Sequence, residues 1–359
     1  MRIAITGASG SLGRRLVYYC AKQVDTERIV ALIRSEYALA LHHDLFKKLL
    51  PSEEFERIHW MLGDIRDQAR LEKAFRGCDT VVHAAALKRV DSILENPTEI
   101  IRTNIDGLVK TLEAAMADNI KKFVFVSSDK AVSPENSYGA SKMLGEDLVR
   151  SFNSYSLPRG MACLSVRYGN VLGSRGSVYW LWRKELEKNY PVIHITDKRM
   201  TRFFMTFEMA IDTIVTALEQ GEAGQTIVPS CQAYLLMDFL TAMIDVLTPD
   251  KKDEVEIQSM GVRKGGEKYH ESLCHINQVA SGFSTIMRDS AAYTVFPGEV
   301  TSEQTLSSYL LSSNVLTFPV NRMSVGMLRK ELVQFEMDAL SEFDKVPHRK
   351  SLEMVGALE

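Results

Sequence analysis

Short β-rich apolar runs alternate with longer amphipathic segments along the first half of the chain. The runs are Arg2 to Ile5, Ile29 to Ile33, Ile58 to Leu62, Thr80 to Val82, Lys122 to Val126 and Cys163 to Val166, and each predicts a strand. Between them, Ser11 to Ala21, Tyr37 to Leu49, Gln68 to Phe75, Pro97 to Asp118 and Tyr138 to Ser154 place apolar residues at helical spacing. Strands and helices repeated in this order build a parallel sheet covered on both faces, joined by right-handed crossovers. The predicted fold class is α/β, a Rossmann-like doubly wound parallel sheet with a smaller mixed α/β lobe. Past about residue 170 the pattern loosens into glycines and a basic, aromatic-rich segment, followed by a helical stretch from Phe207 to Gln220. The expected division is a first domain at 1–169 with 203–226 returning to it, a smaller lobe at 170–202 and 227–320, and a C-terminal helix and tail at 321–359.

Composition narrows the classes of function. The 359 residues are 45% hydrophobic and 25% charged, the balance of a folded globular chain rather than a disordered one. A net charge of -3 supplies no basic field for a nucleic-acid backbone. The first residues carry no basic segment ahead of a long apolar stretch and no small-residue cleavage site, and charges interrupt every later apolar run. A cytoplasmic protein without a membrane span is expected. Cys20, Cys78, Cys163, Cys231 and Cys274 are scattered and lack CxxC spacing, so they predict reduced thiols. His83 and His270 lack ligand partners at useful spacing, and no metal is expected.

In an open α/β sheet, ligands bind beyond the carboxyl ends of the strands. The first run is followed by Thr6-Gly7-Ala8-Ser9-Gly10-Ser11-Leu12-Gly13, a Gly-x-x-Gly-x-x-Gly spacing that opens a helix. Such a turn lets backbone N–H groups and the helix N-terminus approach a pyrophosphate, so Gly7, Ser9, Gly10, Ser11, Leu12 and Gly13 are the expected cofactor contacts. The second strand ends at Arg34 and Ser35, where an NAD site would place an acidic residue for the ribose 2′-hydroxyl. Arg34 suits a 2′-phosphate, which favours NADP over NAD. Asp64 and Ile65 follow the third strand, where the acidic loop faces the expected adenine. Ala84, Ala85 and Ala86 follow the fourth, with side chains small enough for the cofactor to lie against the backbone.

The fifth strand delivers Ser127-Ser128-Asp129-Lys130, and the next helix opens with Tyr138-Gly139-Ala140-Ser141-Lys142. Four residues along a helix put Tyr138 and Lys142 on one face, so Lys142 is expected to lower the tyrosine pKa and stabilise a tyrosinate. A tyrosine so tuned takes a hydroxyl proton while hydride leaves the same carbon for nicotinamide.

Together these residues resemble the extended short-chain dehydrogenases/reductases. Within them, Ala84 to Val90, Ser127 to Ala131, Arg167 to Val178, Ile195 to Phe203 and Gly266 to Glu271 are similar to the soluble nucleotide-sugar 4,6-dehydratases that act on UDP-N-acetylglucosamine in polysaccharide biosynthesis. The resemblance implies Ser128, Asp129, Lys130, Tyr138 and Lys142 as catalytic residues, with Tyr138 and Lys142 also against the cofactor. Dehydration at C6 needs an acid for the departing hydroxyl and a base for the C5 proton. Asp129 and Lys130 are expected to fill these roles, which requires Asp129 to hold a proton and Lys130 to shed one. The resemblance places Lys88, Asn170, Arg175, Ser177, Thr201, Arg202, Arg263 and Glu267 around the nucleotide sugar, and implies a homo-oligomer, a dimer or hexamer. Where the family motif reads Pro-Gly-Glu-Lys, this chain has Gly265-Gly266-Glu267-Lys268. The rival readings are a nucleotide-sugar 4-epimerase, which needs no acid–base pair for C5 and C6, and a non-catalytic NADP-binding regulator.

Overall fold

Four consecutive residues of β1 (Arg2–Thr6) are buried, as are all four of β4 (Thr80–His83). Unbroken burial of this kind belongs to inner strands covered by helices on both faces. The computed structural model describes residues 1–89, 95–262, 266–274, 278, 283–289, 291–296 and 322–337. β1 pairs in parallel with β2 (Arg28–Ile33) on one side and β4 on the other, setting Ile3 opposite Ile29 and Thr80. Outward from these lie β3 (Ile58–Leu62), β5 (Lys122–Val126) and β6 (Ala162–Val166), giving the Rossmann order 3-2-1-4-5-6. The six strands expected from the sequence form this sheet.

The sheet continues further than its first six strands. β10 (Thr226–Pro229) adds in parallel beside β6, and the antiparallel hairpin of β13 (Ser284–Arg288) and β14 (Ala291–Phe296) adds beside β10. This corrects the expectation that 284–296 lies in the smaller lobe. β10 is buried along its length, so an uncovered edge there would leave backbone groups unpaired, and the hairpin pairs them. Tyr293, Val295 and Phe296 join the main core.

The helix expected from Pro97 to Asp118 is interrupted by a π-helical stretch at Ile101–Asp106 that leads into a regular helix at Gly107–Ala117. The Asn104 side chain accounts for the change in winding. It donates to Ser141 Oγ at 2.9 Å and to the Leu87 carbonyl at 3.0 Å, and accepts from the Leu87 amide at 2.8 Å. A π turn of this kind frequently marks a functional site.

The smaller lobe contains β7 (Asn170–Val171), β9 (Thr201–Met205) and β11 (Ala233–Leu235) in one sheet, and β8 (Val192–Ile195) with β12 (Glu256–Ser259) in another. Its core includes Tyr179, Trp182, Phe204, Tyr234 and Phe239. The helix Val325–Met337 adds Leu328, Leu332 and Phe335 to that core, so it is structural and not a loose appendage. Phe335 packs edge-on against Tyr179 and Trp180, and its ring fills the space a Cβ on Gly173 would need. The tail beyond residue 337 lies outside the described residues. No helix among the described residues is long and apolar enough to cross a membrane.

A buried ion pair braces the first domain behind the site. Arg167, at the end of β6, donates through Nε to Glu146 at 3.0 Å and through Nη1 to the Leu273 carbonyl at 2.7 Å. Glu146 sits on the helix Ser137–Ser156, which begins beside Tyr138. Removing one partner leaves an uncompensated charge in the core, so Glu146→Ala is expected to cost about 3–5 kcal/mol. A lower urea midpoint at unchanged slope would register this loss, whereas an unchanged midpoint would show that the pair carries no such share of the stability.

Candidate active site

The carboxyl ends of β1, β4, β5 and β6 open onto a cavity of about 710 Å³, with the smaller lobe forming its other wall. At the end of β1 the chain turns through Gly7, whose φ of +69° suits glycine. A Cβ there would stand 2.7 Å from the Ala85 amide nitrogen, and one on Gly13 would stand 2.2 Å from the Gly7 carbonyl oxygen. The turn is therefore seated directly on the strand ends. It delivers the N-terminus of the helix Ser11–Lys22 to the cavity, whose wall includes Gly7, Gly10, Ser11, Leu12, Gly13, Ala84 and Ala86. These backbone-rich surfaces fit the pyrophosphate of a dinucleotide.

Other expected cofactor residues lie away from this wall. Arg34 is exposed, and Ser35 Oγ accepts from the Ala38 amide at 3.3 Å as a helix cap. Asp64 pairs with Arg66 at 2.7 Å, and Ile65 packs beneath Gly107. Ala85 lies behind the wall, where its amide donates to Thr6 Oγ1 at 3.3 Å. Ser9 turns its carbonyl toward Arg175, which donates to it.

The end of β5 runs into a short 3-10 turn at Asp129–Ala131. Its first residue is completely buried, and Asp129 Oδ1 accepts from Ser128 Oγ at 2.8 Å and from Lys130 Nζ at 3.0 Å. Among the described residues Asp129 Oδ2 has no partner. Lys130 Nζ also donates to Asn170 Oδ1 at 3.3 Å and lies 3.6 Å from Glu271 Oε1. Burial pushes the Asp129 carboxyl up and outweighs the opposing charge of Lys130, which is the direction expected of an acid. Lys130 moves against the expectation. Burial lowers its ammonium, but the carboxylates of Asp129 and Glu271 more than reverse that and hold it above the ordinary lysine range.

Tyr138 and Lys142 share the cavity wall with Ser128 and Lys130. The expected lowering of Tyr138 by Lys142 does not appear. Desolvation raises the phenol, although Lys130 and a Ser128 hydrogen bond pull it back. Lys142 instead donates to the Val126 carbonyl at 2.6 Å and stands 4.4 Å over the Phe125 ring. Desolvation brings its ammonium down to about 7, with Glu146 opposing. His83 is consumed structurally: it bonds Thr6 Oγ1 at 3.1 Å, and burial lowers it to about 3.

Of the expected substrate residues, Lys88, Asn170, Arg175, Ser177, Arg202 and Glu267 line the cavity. Lys88 is open to the cleft yet enclosed by its walls, and desolvation with the nearby cations Arg175, Lys130 and Arg14 lowers it to about 8. Arg202 and Glu267 pair with each other at 2.9 Å. Ser177 presents a buried hydroxyl at the N-terminus of the helix Val178–Leu186. Arg175 reaches the glycine-rich turn, with its amide donating to Ser11 Oγ at 2.9 Å. That corrects its expected place beside the sugar to one over the cofactor turn. Thr201 is buried behind the wall, bonded to His270 Nδ1 at 2.8 Å, so direct contact with a ligand is not its position. Arg263 lies outside the described residues.

Sequence reasoning passed over Glu271, Lys268 and Asn104. Glu271 is buried, and its second carboxylate oxygen accepts from Lys268 Nζ at 3.2 Å. Lys268 also donates to the Val132 carbonyl, binding this segment to the turn that bears Lys130. The charged spacing within Gly266 to Glu271 was the available signal. Gly266 fits that segment with a φ of +90°, and a Cβ there would approach the Glu135 carbonyl oxygen to 2.2 Å. Among the described residues no group of three His, Cys, Asp or Glu side chains is arranged to hold a metal ion.

Comparison with known proteins gives this geometry its relatives. The family described as polysaccharide biosynthesis protein matches residues 3–289. A UDP-N-acetylglucosamine 4,6-dehydratase (inverting) from Campylobacter jejuni is 32% identical over 273 residues, 76% of each chain. A UDP-glucose 4-epimerase from Rickettsia conorii is 35% identical over 224 residues, 62% of this chain and 64% of its own. The crystal structure of Pen from Bacillus thuringiensis superposes with a TM-score of 0.80 at 28% identity, covering 93% of this chain and 98% of that one. With the matched region spanning both the glycine-rich turn and the Asp129–Lys130 turn, the chain belongs to the polysaccharide biosynthesis protein family and has the fold of the extended short-chain dehydrogenases/reductases.

Proposed function

We propose that this protein is an NADP-dependent nucleotide-sugar 4,6-dehydratase acting on UDP-N-acetylglucosamine. The observation that carries the reading is the Asp129–Lys130 pair, with its carboxylate fully buried, set beside Tyr138 in one cavity with the glycine-rich turn. NADP, when bound, supplies the acceptor for the C4 hydride and its donor to C6. Tyr138, ionised for this step against the desolvation that raises its phenol, takes the O4 proton, Lys130 takes the C5 proton that a C4 ketone acidifies, and Asp129 protonates the C6 oxygen as it departs in water. Lys130 later returns its proton to C5, and the proton held by Tyr138 makes good the one lost by Asp129, so the cycle is balanced.

The pair enters this cycle as an ion pair. An ammonium with a carboxylate and an amine with a carboxylic acid hold the same number of protons. Moving one proton along the 3.0 Å Nζ–Oδ1 hydrogen bond therefore makes the acid and the base together. Complete burial of Asp129 favours the uncharged form, and a C4 ketone completes the demand for a base. The same pair weighs against the 4-epimerase, whose chemistry never breaks the bonds at C5 and C6.

The decisive assay incubates UDP-N-acetylglucosamine with the protein and NADP in deuterated water. Loss of one water with deuterium at C5 is expected, and the sugar's configuration then reports whether C5 is inverted. An unchanged mass with a new C4 epimer would overturn the dehydratase in favour of the epimerase. Asp129→Asn and Lys130→Ala are each expected to bind NADP normally while elimination falls by about 10²–10⁴-fold. Turnover at the wild-type rate in either would remove the acid–base assignment.

Cofactor choice rests on Arg34, the exposed cation after β2. A charge-assisted contact to a 2′-phosphate is worth about 1.5–3 kcal/mol. Arg34→Ala should thus weaken NADP by roughly tenfold or more in a nicotinamide fluorescence titration and leave NAD unaffected. Equal weakening of both cofactors would refute the assignment.

A further inference from the structure

We propose that Glu271 is a third member of the acid–base site, the second counter-ion of Lys130, and that it sets the pH range in which the Asp129–Lys130 pair holds one mobile proton. The proposal rests on the dehydratase reading for its catalytic meaning and on geometry for its substance. Lys130 Nζ has carboxylate oxygens at 3.0 Å from Asp129 and at 3.6 Å from Glu271. Both carboxylates are buried. Glu271 comes from a different segment of the chain, held against the turn by Lys268 through its bonds to Glu271 and to the Val132 carbonyl. Asn136 Nδ2 donates to the Gly266 carbonyl at 3.3 Å and fixes the other end of the segment.

Two buried carboxylates around one ammonium cannot both be fully compensated, and the structure shows which is the poorer. Glu271 has Lys268 as well as Lys130, while Asp129 Oδ2 has no donor among the described residues. The other groups facing the cluster are Arg202, which pairs with Glu267, the cation Lys88, the phenols Tyr138 and Tyr234, and the Cys231 thiol. Desolvation raises Asp129, with Glu271 adding to the rise. Glu271 is itself desolvated, yet Lys130, Arg202 and Lys268 bring it below the ordinary carboxyl range. Glu271 thus stays an anion and Asp129 takes the proton first. An anion at this position favours the protonated form of both its neighbours, so its loss must move both of their titrations toward lower pH. Glu271 touches neither substrate nor cofactor in this account and is a positioning residue.

The test is the pH dependence of Glu271→Gln, with Glu271→Asp as the variant that keeps the charge. Both limbs of the kcat profile for water elimination should move to lower pH by about one unit in the glutamine variant, and return in the aspartate variant. A purely structural role would lower the plateau and leave the limbs in place. The carboxylic-acid stretch of Asp129, identified by its disappearance in Asp129→Asn, supplies an infrared titration that needs no sugar. Its midpoint should shift downward with the limbs. An unmoved midpoint in a folded Glu271→Gln protein would overturn the proposal. A moved midpoint in a protein that eliminates water from no UDP-sugar would keep the role of Glu271 and overturn the function assigned above. If the glutamine variant does not fold, an aspartate variant whose midpoint departs from wild type by a unit or more would also count against a role set by charge.

Discussion

Everything at the centre of this molecule follows from placing a carboxylate with no solvent exposure at the end of an inner strand. Asp129 cannot rely on water for its charge, so the protein must compensate it or leave it protonated. Compensation comes from Ser128 and Lys130 beside it, and Lys130 is held in turn by Asn170 on β7 and by Glu271 in the Gly266–Glu271 segment. Each added charge needs its own partner, which draws in Lys268, Arg202 and Glu267. The smaller lobe is therefore tied electrostatically to the strand ends it covers. A network of this kind adds little net stability over an apolar core, but it gives the carboxyl and the ammonium nearby states that differ by one proton.

The backbone performs the complementary task at the other side of the cavity. Gly7 and Gly13 allow the turn after β1 to lie against Ala85 and its own carbonyl, at separations that a Cβ would close. Arg175 crosses from the smaller lobe to bond Ser9 and Ser11 there. Its loop is fixed from behind, since Trp180 Nε1 donates to the Gly173 carbonyl at 2.7 Å and Phe335 occupies the space beside Gly173. The last described helix thereby helps to position a cation over the first turn of the chain.

Much of this was legible from sequence, for identifiable reasons. Strands such as Lys122 to Val126 and helices such as Ser137–Ser156 carry a local period that tertiary contacts did not override. The glycine spacing and the Ser-Ser-Asp-Lys strand end were legible because adjacency in sequence fixes adjacency in space. Less visible were the features whose cause lies far along the chain. The β13–β14 hairpin depends on the exposed edge that β10 would otherwise present, and the π turn depends on Asn104 reaching Leu87 and Ser141. Arg175 was expected beside the sugar because its motif suggests it, while its hydrogen bonds place it at the cofactor turn.

The protonation of Lys130 shows why motif and chemistry had to be separated. The motif assigns an acid and a base to Asp129 and Lys130, which requires the first to hold a proton and the second to shed one. The structure supplies a second carboxylate more than a hundred residues later in the chain, and with Asp129 it holds the lysine above its ordinary range, the wrong form for a base. In the proposed dehydration a free amine is needed only once C4 is a ketone, so an ammonium at the outset fits that cycle. Before that point, an ammonium held by two carboxylates protects the site from losing its proton to solvent. Afterwards, a shift of one proton over 3.0 Å creates both reagents without exchange with bulk water. In that proposed cycle, a residue poised this way would couple elimination to prior oxidation, which a permanently neutral lysine would not do.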